Sequence, residues 1–151
     1  MAITQAIANS FKKQLLEGEH NFGTGDDKFK IALYTSSATL NSTTTAYATN
    51  PGGGANTEVA NTGQYAAGGG LLVNNGTSIT AGVARVDFAD RSFTGVTLTA
   101  RGALIYNTSA TATNAAVCAL DFGADKTATS GVFTIQFPAA TSTAAILRIS
   151  G

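Results

Sequence analysis

Apolar and polar residues alternate along the second half of the chain, in short segments separated by Gly, Asn, Asp, Ser and Thr. Residues 83–88 and 132–137 show the alternation most clearly. A period of two places one set of side chains on a buried face and the other set toward solvent or a second layer. The pattern predicts strands at residues 77–88, 93–99, 101–107, 115–122, 131–137 and 144–149.

The first half of the chain holds fewer strand signals. In residues 27–35, Phe29, Ile31 and Leu33 share one face, which predicts a strand, and a shorter strand is expected at residues 70–73. Asn-Asn-Gly at 74–76 predicts a turn, because Asn-Gly tolerates positive φ, and residues 125–131 are expected to form a hairpin loop. The spacing favours one domain over residues 1–151, with a mainly β, antiparallel sandwich or barrel-like (jelly-roll-type) fold.

One amphipathic helix is predicted near the N-terminus, over about residues 3–17. Ile3, Ile7, Phe11 and Leu15 recur every four residues, and Gly18 offers a stop signal. This apolar stripe either packs on the sheet of its own domain or docks on a neighbouring subunit. We therefore take Ile3, Ile7 and Phe11 as candidate partner-binding residues.

A long loop rich in Ser, Thr, Ala, Asn and Gly is predicted over about residues 36–70. Loops of this length in a compact domain are usually functional or partly disordered. Tyr47 and Tyr65 lie in it among small polar residues, a setting typical of contact surfaces. The two rings are candidate partner-binding residues, and the alternative is that they anchor the loop to its own domain.

Composition narrows the choice of partner. Charged residues make up 12% of the 151 residues, and nine basic residues balance nine acidic ones. This balance predicts neither nucleic-acid nor membrane binding, whereas a charge-poor surface favours association, including a homo-oligomer. The apolar runs are too short for a membrane span, and the N-terminus has no basic start followed by an apolar stretch, so we expect no signal peptide.

His20 is the chain's one histidine, and Glu17, Glu19, Asp26 and Asp27 lie near it in sequence. A histidine with two carboxylates can hold a divalent ion, but this spacing matches no metal motif. A Ser-His-Asp triad lacks its Gly-x-Ser-x-Gly elbow. We expect solvated charges here, with no metal and no other cofactor.

Two carboxylate pairs, Asp87 with Asp90 and Asp121 with Asp125, are candidates for glycoside cleavage. Sugar-cleaving sites usually carry aromatic platforms, and the chain contains no tryptophan. Asp at a strand end more often shapes a turn. Cys118, the single cysteine, lies in an apolar run and is expected to be a buried hydrophobe. The sequence therefore predicts a protein that is not an enzyme.

Several segments taken together resemble small structural proteins encoded by tailed bacteriophages. The similarity spans nearly the whole chain, and ARGALIYN together with the DFG-DK-SG-FTIQFP pattern is its most distinctive part. The segments that carry it are KFKIALYTSSATL (28–40), Glu58-Val59, Gly63-Gln64-Tyr65, VDFAD (86–90), ARGALIYNTS (100–109), LDFGADKTATSGVFTIQFP (120–138) and ILRIS (146–150).

The resemblance implies a component of the virion, assembled in the bacterial host cytoplasm. Capsid decoration, or cement, is the leading role it implies, with the major capsid protein or other virion proteins as partners. A tail, neck or fibre component is the second role. A carbohydrate-binding module on the virion surface is a further alternative, because β-sandwiches host such sites as well. No catalytic residue follows from the resemblance.

Overall fold

The computed structural model describes residues 2–151 and has a mainly β fold with one short helix, as the sequence predicts. Every pairing between its strands is antiparallel. In chain order the elements are β1 (Ala6–Ile7), α1 (Asn9–Leu16), β2 (Phe29–Tyr34), β3 (Gly70–Leu71), β4 (Asn74–Thr80), β5 (Val83–Phe88), β6 (Arg91–Asn107), β7 (Ala115–Ile135) and β8 (Leu147–Ile149).

The strands form two sheets in a sandwich-like arrangement. The larger sheet has the order β1-β7-β6-β2-β3, and the smaller one has the order β4-β5-β8. Aromatic rings join the layers: Phe29 of the larger sheet lies 5.7 Å from Phe88 of the smaller one, and Phe22 stacks on Phe29 at 4.6 Å. Phe137 closes the cluster, 5.9 Å from Phe88. Alternation gives each strand one apolar face, and these faces are buried where the two sheets pack against each other.

The predicted helix over 3–17 is too long, because its first half joins the larger sheet. Ile3 bridges Leu40, and Ala6–Ile7 pairs with β7. Ala8 remains extended, so the helix begins at Asn9. Helical periodicity is a weak preference, and backbone pairing with an open sheet edge overrides it here.

The predicted turn at 74–76 is wrong, and the predicted strand at 77–88 is in fact a hairpin. Gly76 has φ 94° but forms a bulge within β4, where the register shifts between Asn74 and Gly76. The chain reverses instead at Ala81 and Gly82, with φ 51° and 76°. Two consecutive residues of positive φ match the twist of the flanking strands.

The predicted hairpin loop at 125–131 is also wrong, because β7 runs through it without a break. Gly123 and Ser130 have positive φ and lie where the pairing with β6 shifts register. Turn-forming residues are thus used for bulges, which bend a long strand pair without ending it. The strands predicted at 93–99 and 101–107 likewise form the single strand β6.

The segment 36–70 contains no strand of the two sheets before Gly70, yet it is ordered against the larger sheet. Its stretch around Glu58 runs beside β2, where Val59 N donates to Leu33 O at 2.9 Å and Thr35 N donates to Thr57 O at 3.0 Å. The loop therefore covers part of the sheet as a fixed layer.

Candidate functional site

An open apolar groove lies between helix α1 and the smaller sheet. It measures about 700 Å³. Its walls come from β1, α1, the segment 21–23 and the strands β4, β5 and β8 of the smaller sheet. Its apolar lining consists of Ile7, Phe11, Leu15, Leu16, Phe22, Ala84, Val86, Leu147 and Ile149.

A second groove of about 400 Å³ lies on the same side of the sandwich and shares Ile7 with the first. It passes over β7 to Phe122, Phe137 and Ile146, all partly buried. We call the two grooves together the apolar trough. The trough exists because β1 and β8 are the edge strands of their respective sheets, and this side of the sandwich is left open.

The rim of the trough exposes large apolar side chains. Leu16, at the end of the helix, is 91% exposed, and Ile149 of β8 is 61% exposed. Residues of this kind scattered singly need no explanation, but here both line one concave surface. The trough can therefore accept an apolar partner without rearrangement of the sheets.

Two arginines of the smaller sheet, Arg85 on β5 and Arg148 on β8, lie directly opposite each other, and both also contribute to the lining of the first groove. Arg85 Nη2 donates to Thr80 Oγ1 at 2.9 Å, but its Nε and Nη1 are buried without a hydrogen-bond partner. Arg148 Nη1 donates to Ser142 O at 3.1 Å. Neither guanidinium has a carboxylate partner among residues 2–151.

The structure separates the candidate partner-binding residues of the N-terminal stripe. Ile7 is half-buried and lines both grooves. Phe11 is 4% exposed and lines the groove floor. Ile3 is buried against Gly102 of the interior strand β6 and lines neither groove. As partner contacts these residues stay predictions, but only Ile7 and Phe11 lie in the trough.

Tyr47 and Tyr65 converge instead on Glu58, a buried carboxylate. Tyr65 Oη donates to Glu58 Oε1 at 2.9 Å, and Tyr47 Oη donates to Oε2 at 2.7 Å. The N–H of Gly68 donates to Oε1 at 2.6 Å. Tyr65 is 1% exposed, so its ring anchors the loop and offers no surface to a partner.

The remaining tyrosines complete the cluster. Tyr106 Oη donates to Gly68 O at 2.6 Å and its ring stacks on Tyr47 at 4.8 Å, while Tyr34 Oη donates to Ala48 O at 2.7 Å. Burial raises the pKa of Tyr106 to about 12, and the charge of Glu58 adds to the rise. Burial likewise raises the pKa of Tyr65. These phenols are therefore neutral donors that hold the loop around one carboxylate.

His20 is buried rather than solvated, contrary to the expectation for this histidine. Its ring lies 4.8 Å from Phe11, its Nε2 is 3.0 Å from Gln14 Oε1, and its Nδ1 is 3.1 Å from Asn107 Nδ2. Asn107 Oδ1 accepts from Ser109 N, so the amide presents its donor to Nδ1, which must accept. Burial lowers the pKa of His20. The ring is a neutral core group.

The other candidate groups have structural partners. Asp121 pairs with Arg101 at 3.0 Å, and this hydrogen bond lowers the pKa of the carboxyl. Asp90 Oδ1 accepts from the N–H of Phe137 at 2.9 Å. Cys118 is buried, and burial raises the pKa of its thiol to about 12. Within residues 2–151, His, Cys, Asp and Glu side chains form no group of three that could hold a metal ion.

Sequence reasoning missed Glu58 and the paired arginines. A signal for Glu58 existed, because it is the only charged residue between Lys30 and Arg85. A lone carboxylate in an uncharged stretch must either face solvent or find several donors. The arginine pair had no such signal, since strand register alone brings Arg85 and Arg148 together.

Comparison with known protein families, characterised proteins and solved structures gives no match to this chain. Along residues 2–151, no helix has both the length and the apolar character needed to cross a membrane.

Proposed function

We propose that this protein is a structural component of a tailed-bacteriophage virion, and that it acts as a capsid decoration, or cement, protein. The observation that carries the proposal is the apolar trough, whose larger groove measures about 700 Å³ and has Leu16 and Ile149 exposed at its rim. The sequence resemblance to phage structural proteins supports the same role.

The proposed mechanism is passive. The two sheets form a rigid body, and the trough buries apolar surface against the major capsid protein or another virion protein. A stable interface buries about 1,600 Å² in total, more than the trough alone offers, so its surroundings and neighbouring copies contribute as well. Many copies on one particle multiply weak contacts through avidity.

The test is incorporation of variants into particles. We expect Ile149→Asp to be lost from purified virions, because a carboxylate would be buried against an apolar partner. Val132→Asp is the matched control: Val132 is 58% exposed, close to the 61% of Ile149, but it lies outside the trough. The wild-type protein, which must be found in particles prepared in the same way, is the positive control. If Ile149→Asp and Val132→Asp are then incorporated equally, docking through the trough is refuted.

Copy number and heat tolerance then test the cement role. Filled heads that lack the protein should lose their DNA at a lower temperature than complete heads. A copy number that matches the capsid lattice supports decoration, whereas a small number set by cyclic symmetry would instead indicate a tail, neck or fibre component.

A polar cleft of about 300 Å³ in the segment 36–70 favours a second candidate function, carbohydrate binding. Side chains of Asn41, Thr43 and Asn50 line it, and hydroxyl and amide groups are suitable partners for sugar hydroxyls. A glycan-array screen of the purified protein tests this alternative, and Asn50→Ala should abolish any binding that arises there.

A further inference from the structure

Strand β8 ends the smaller sheet at the mouth of the trough. Leu147, Arg148 and Ile149 pair with β5 on one side. Within residues 2–151, no strand pairs with its other side. A strand edge whose backbone N–H and C=O groups pair with no other strand is the arrangement that accepts an added strand.

The inner side of this edge is apolar. Leu147 is 6% exposed and faces the core, and Ile149 follows on the same face at 61% exposure. An added strand would place alternate side chains on this face, over the groove that Leu16 and Phe11 border. These positions call for apolar residues.

Alternation along β8 places Arg148 on the strand face opposite to Leu147 and Ile149, and this face is cationic. Arg148 lies directly opposite Arg85, and like charges at opposed positions destabilise a strand pair. The residue of an added strand that lies beside Arg148 would therefore be favoured if it carried a carboxylate.

We propose that β8 binds an extended strand of another virion protein, in which an acidic residue lies beside Arg148 and apolar residues on either side of it enter the trough. This inference rests on the proposed function, since it names the partner chemistry of the same docking surface. Backbone hydrogen bonds to β8 give affinity, and the apolar–acidic–apolar pattern gives specificity.

A second copy of this chain fits the edge poorly. Two β8 strands paired about a twofold axis would place their central Arg148 residues side by side, next to the two copies of Arg85. Four arginines would then form one row across the joined sheets, a costly arrangement without carboxylates. The charge pattern therefore favours a different, acidic strand.

The experiment is an NMR titration of the purified full-length protein with two capped peptides, Thr-Val-Asp-Val-Thr and the same peptide with Lys in place of Asp. We expect the Asp peptide to shift the amide signals of Leu147, Arg148 and Ile149 at millimolar concentration. Replacing attraction by repulsion at one position should weaken binding roughly tenfold for the Lys peptide.

Charge reversal at the strand provides the decisive comparison. Arg148→Glu should invert the preference, so that the Lys peptide binds more tightly than the Asp peptide. Lys126→Glu makes the same charge change at an exposed position outside the trough and should leave the preference unchanged. Equal binding of both peptides, shifts confined to other strands, or no shifts at all would overturn the inference.

Two further measurements test whether the β8 edge binds a second copy of this chain or a lipid surface instead of an acidic strand. Sedimentation velocity of the protein alone would overturn the inference if it showed a dimer that Arg148→Glu strengthens, because the edge would then bind a second copy. Binding of phosphatidylglycerol vesicles with no response to either peptide would also overturn it. Neither result bears on virion incorporation, so the proposed function is tested separately.

Discussion

Removal of one hydroxyl from the Glu58 cluster should destabilise the protein far more than removal of a similar hydroxyl beside it. Tyr65 Oη donates to Glu58 Oε1 at 2.9 Å and accepts from the N–H of Leu33 at 2.8 Å. In Tyr65→Phe the carboxylate loses one of its donors, and the Leu33 N–H loses its acceptor. Because Tyr65 is 1% exposed, water does not readily replace either bond.

The magnitude follows from these two losses. A hydrogen bond to a charged group contributes roughly 1.5–3 kcal/mol, and a buried N–H without a partner costs roughly 1–3 kcal/mol. We therefore expect Tyr65→Phe to lower the free energy of unfolding by about 3–5 kcal/mol. Tyr47→Phe removes only a bond to Glu58, from a half-buried ring, and should cost about 2 kcal/mol.

Tyr34→Phe is the matched control, because its hydroxyl donates only to the carbonyl of Ala48. A neutral bond of this kind contributes about 1 kcal/mol. Urea unfolding at neutral pH, followed by circular dichroism, gives the three free energies by linear extrapolation. Costs for Tyr65→Phe and Tyr34→Phe that agree within about 0.5 kcal/mol would refute the argument that Glu58 organises the loop. If Tyr65→Phe does not fold, the order of Tyr47→Phe and Tyr34→Phe decides.

Two other predictions concern the core and the backbone. The lowered pKa of His20 means that the unfolded chain binds the proton more readily, so stability should be constant above about pH 6.5 and fall as the pH drops below it. The melting temperature of the wild-type protein should therefore fall below about pH 6.5, and this fall should disappear in His20→Gln. Equal slopes of melting temperature against pH in the wild-type protein and in His20→Gln would contradict the prediction. Gly69→Ala should lower the free energy of unfolding by well over roughly 1–2 kcal/mol, which is the cost of left-handed backbone strain alone. The additional loss arises because an added Cβ would overlap the carbonyl of Ile31. Gly53 has a similar φ of +84°, but an added Cβ would meet no atom there. Gly53→Ala should therefore lower the free energy of unfolding, measured in urea, only by the backbone strain of roughly 1–2 kcal/mol.

Much of the candidate site could not be predicted from the sequence, because the site is formed by the strands that lie at the edges of the two sheets. Ile7 and Phe11 of the predicted apolar stripe both line the trough, although Ile7 does so from strand β1 and only Phe11 from the helix. Leu147 and Ile149 became the other wall of the trough only because β8 joins the smaller sheet at its end. Which strand ends a sheet is set by all the pairings together and leaves no local signal.

The same limit applied to the loop and the turns. Asn-Gly at 74–76 was expected to supply positive φ, and Gly76 does so, but within a bulge of β4, and the hairpin loop predicted at 125–131 is instead part of the bulged strand β7. A glycine permits such a backbone conformation but does not choose between reversing the chain and bending it. The partner strand makes that choice through its hydrogen bonds.

The sequence by itself determined the class of fold, since a period of two in short segments requires strands that bury one face, and antiparallel pairing follows from the short connections between most of them. Tertiary structure alone decided which strands lie at the edges, why Glu58 gathers Tyr47 and Tyr65, and that Arg148 faces Arg85. The reason is that alternation encodes the face of each side chain locally, whereas neighbours across a sheet depend on contacts between residues far apart in the chain.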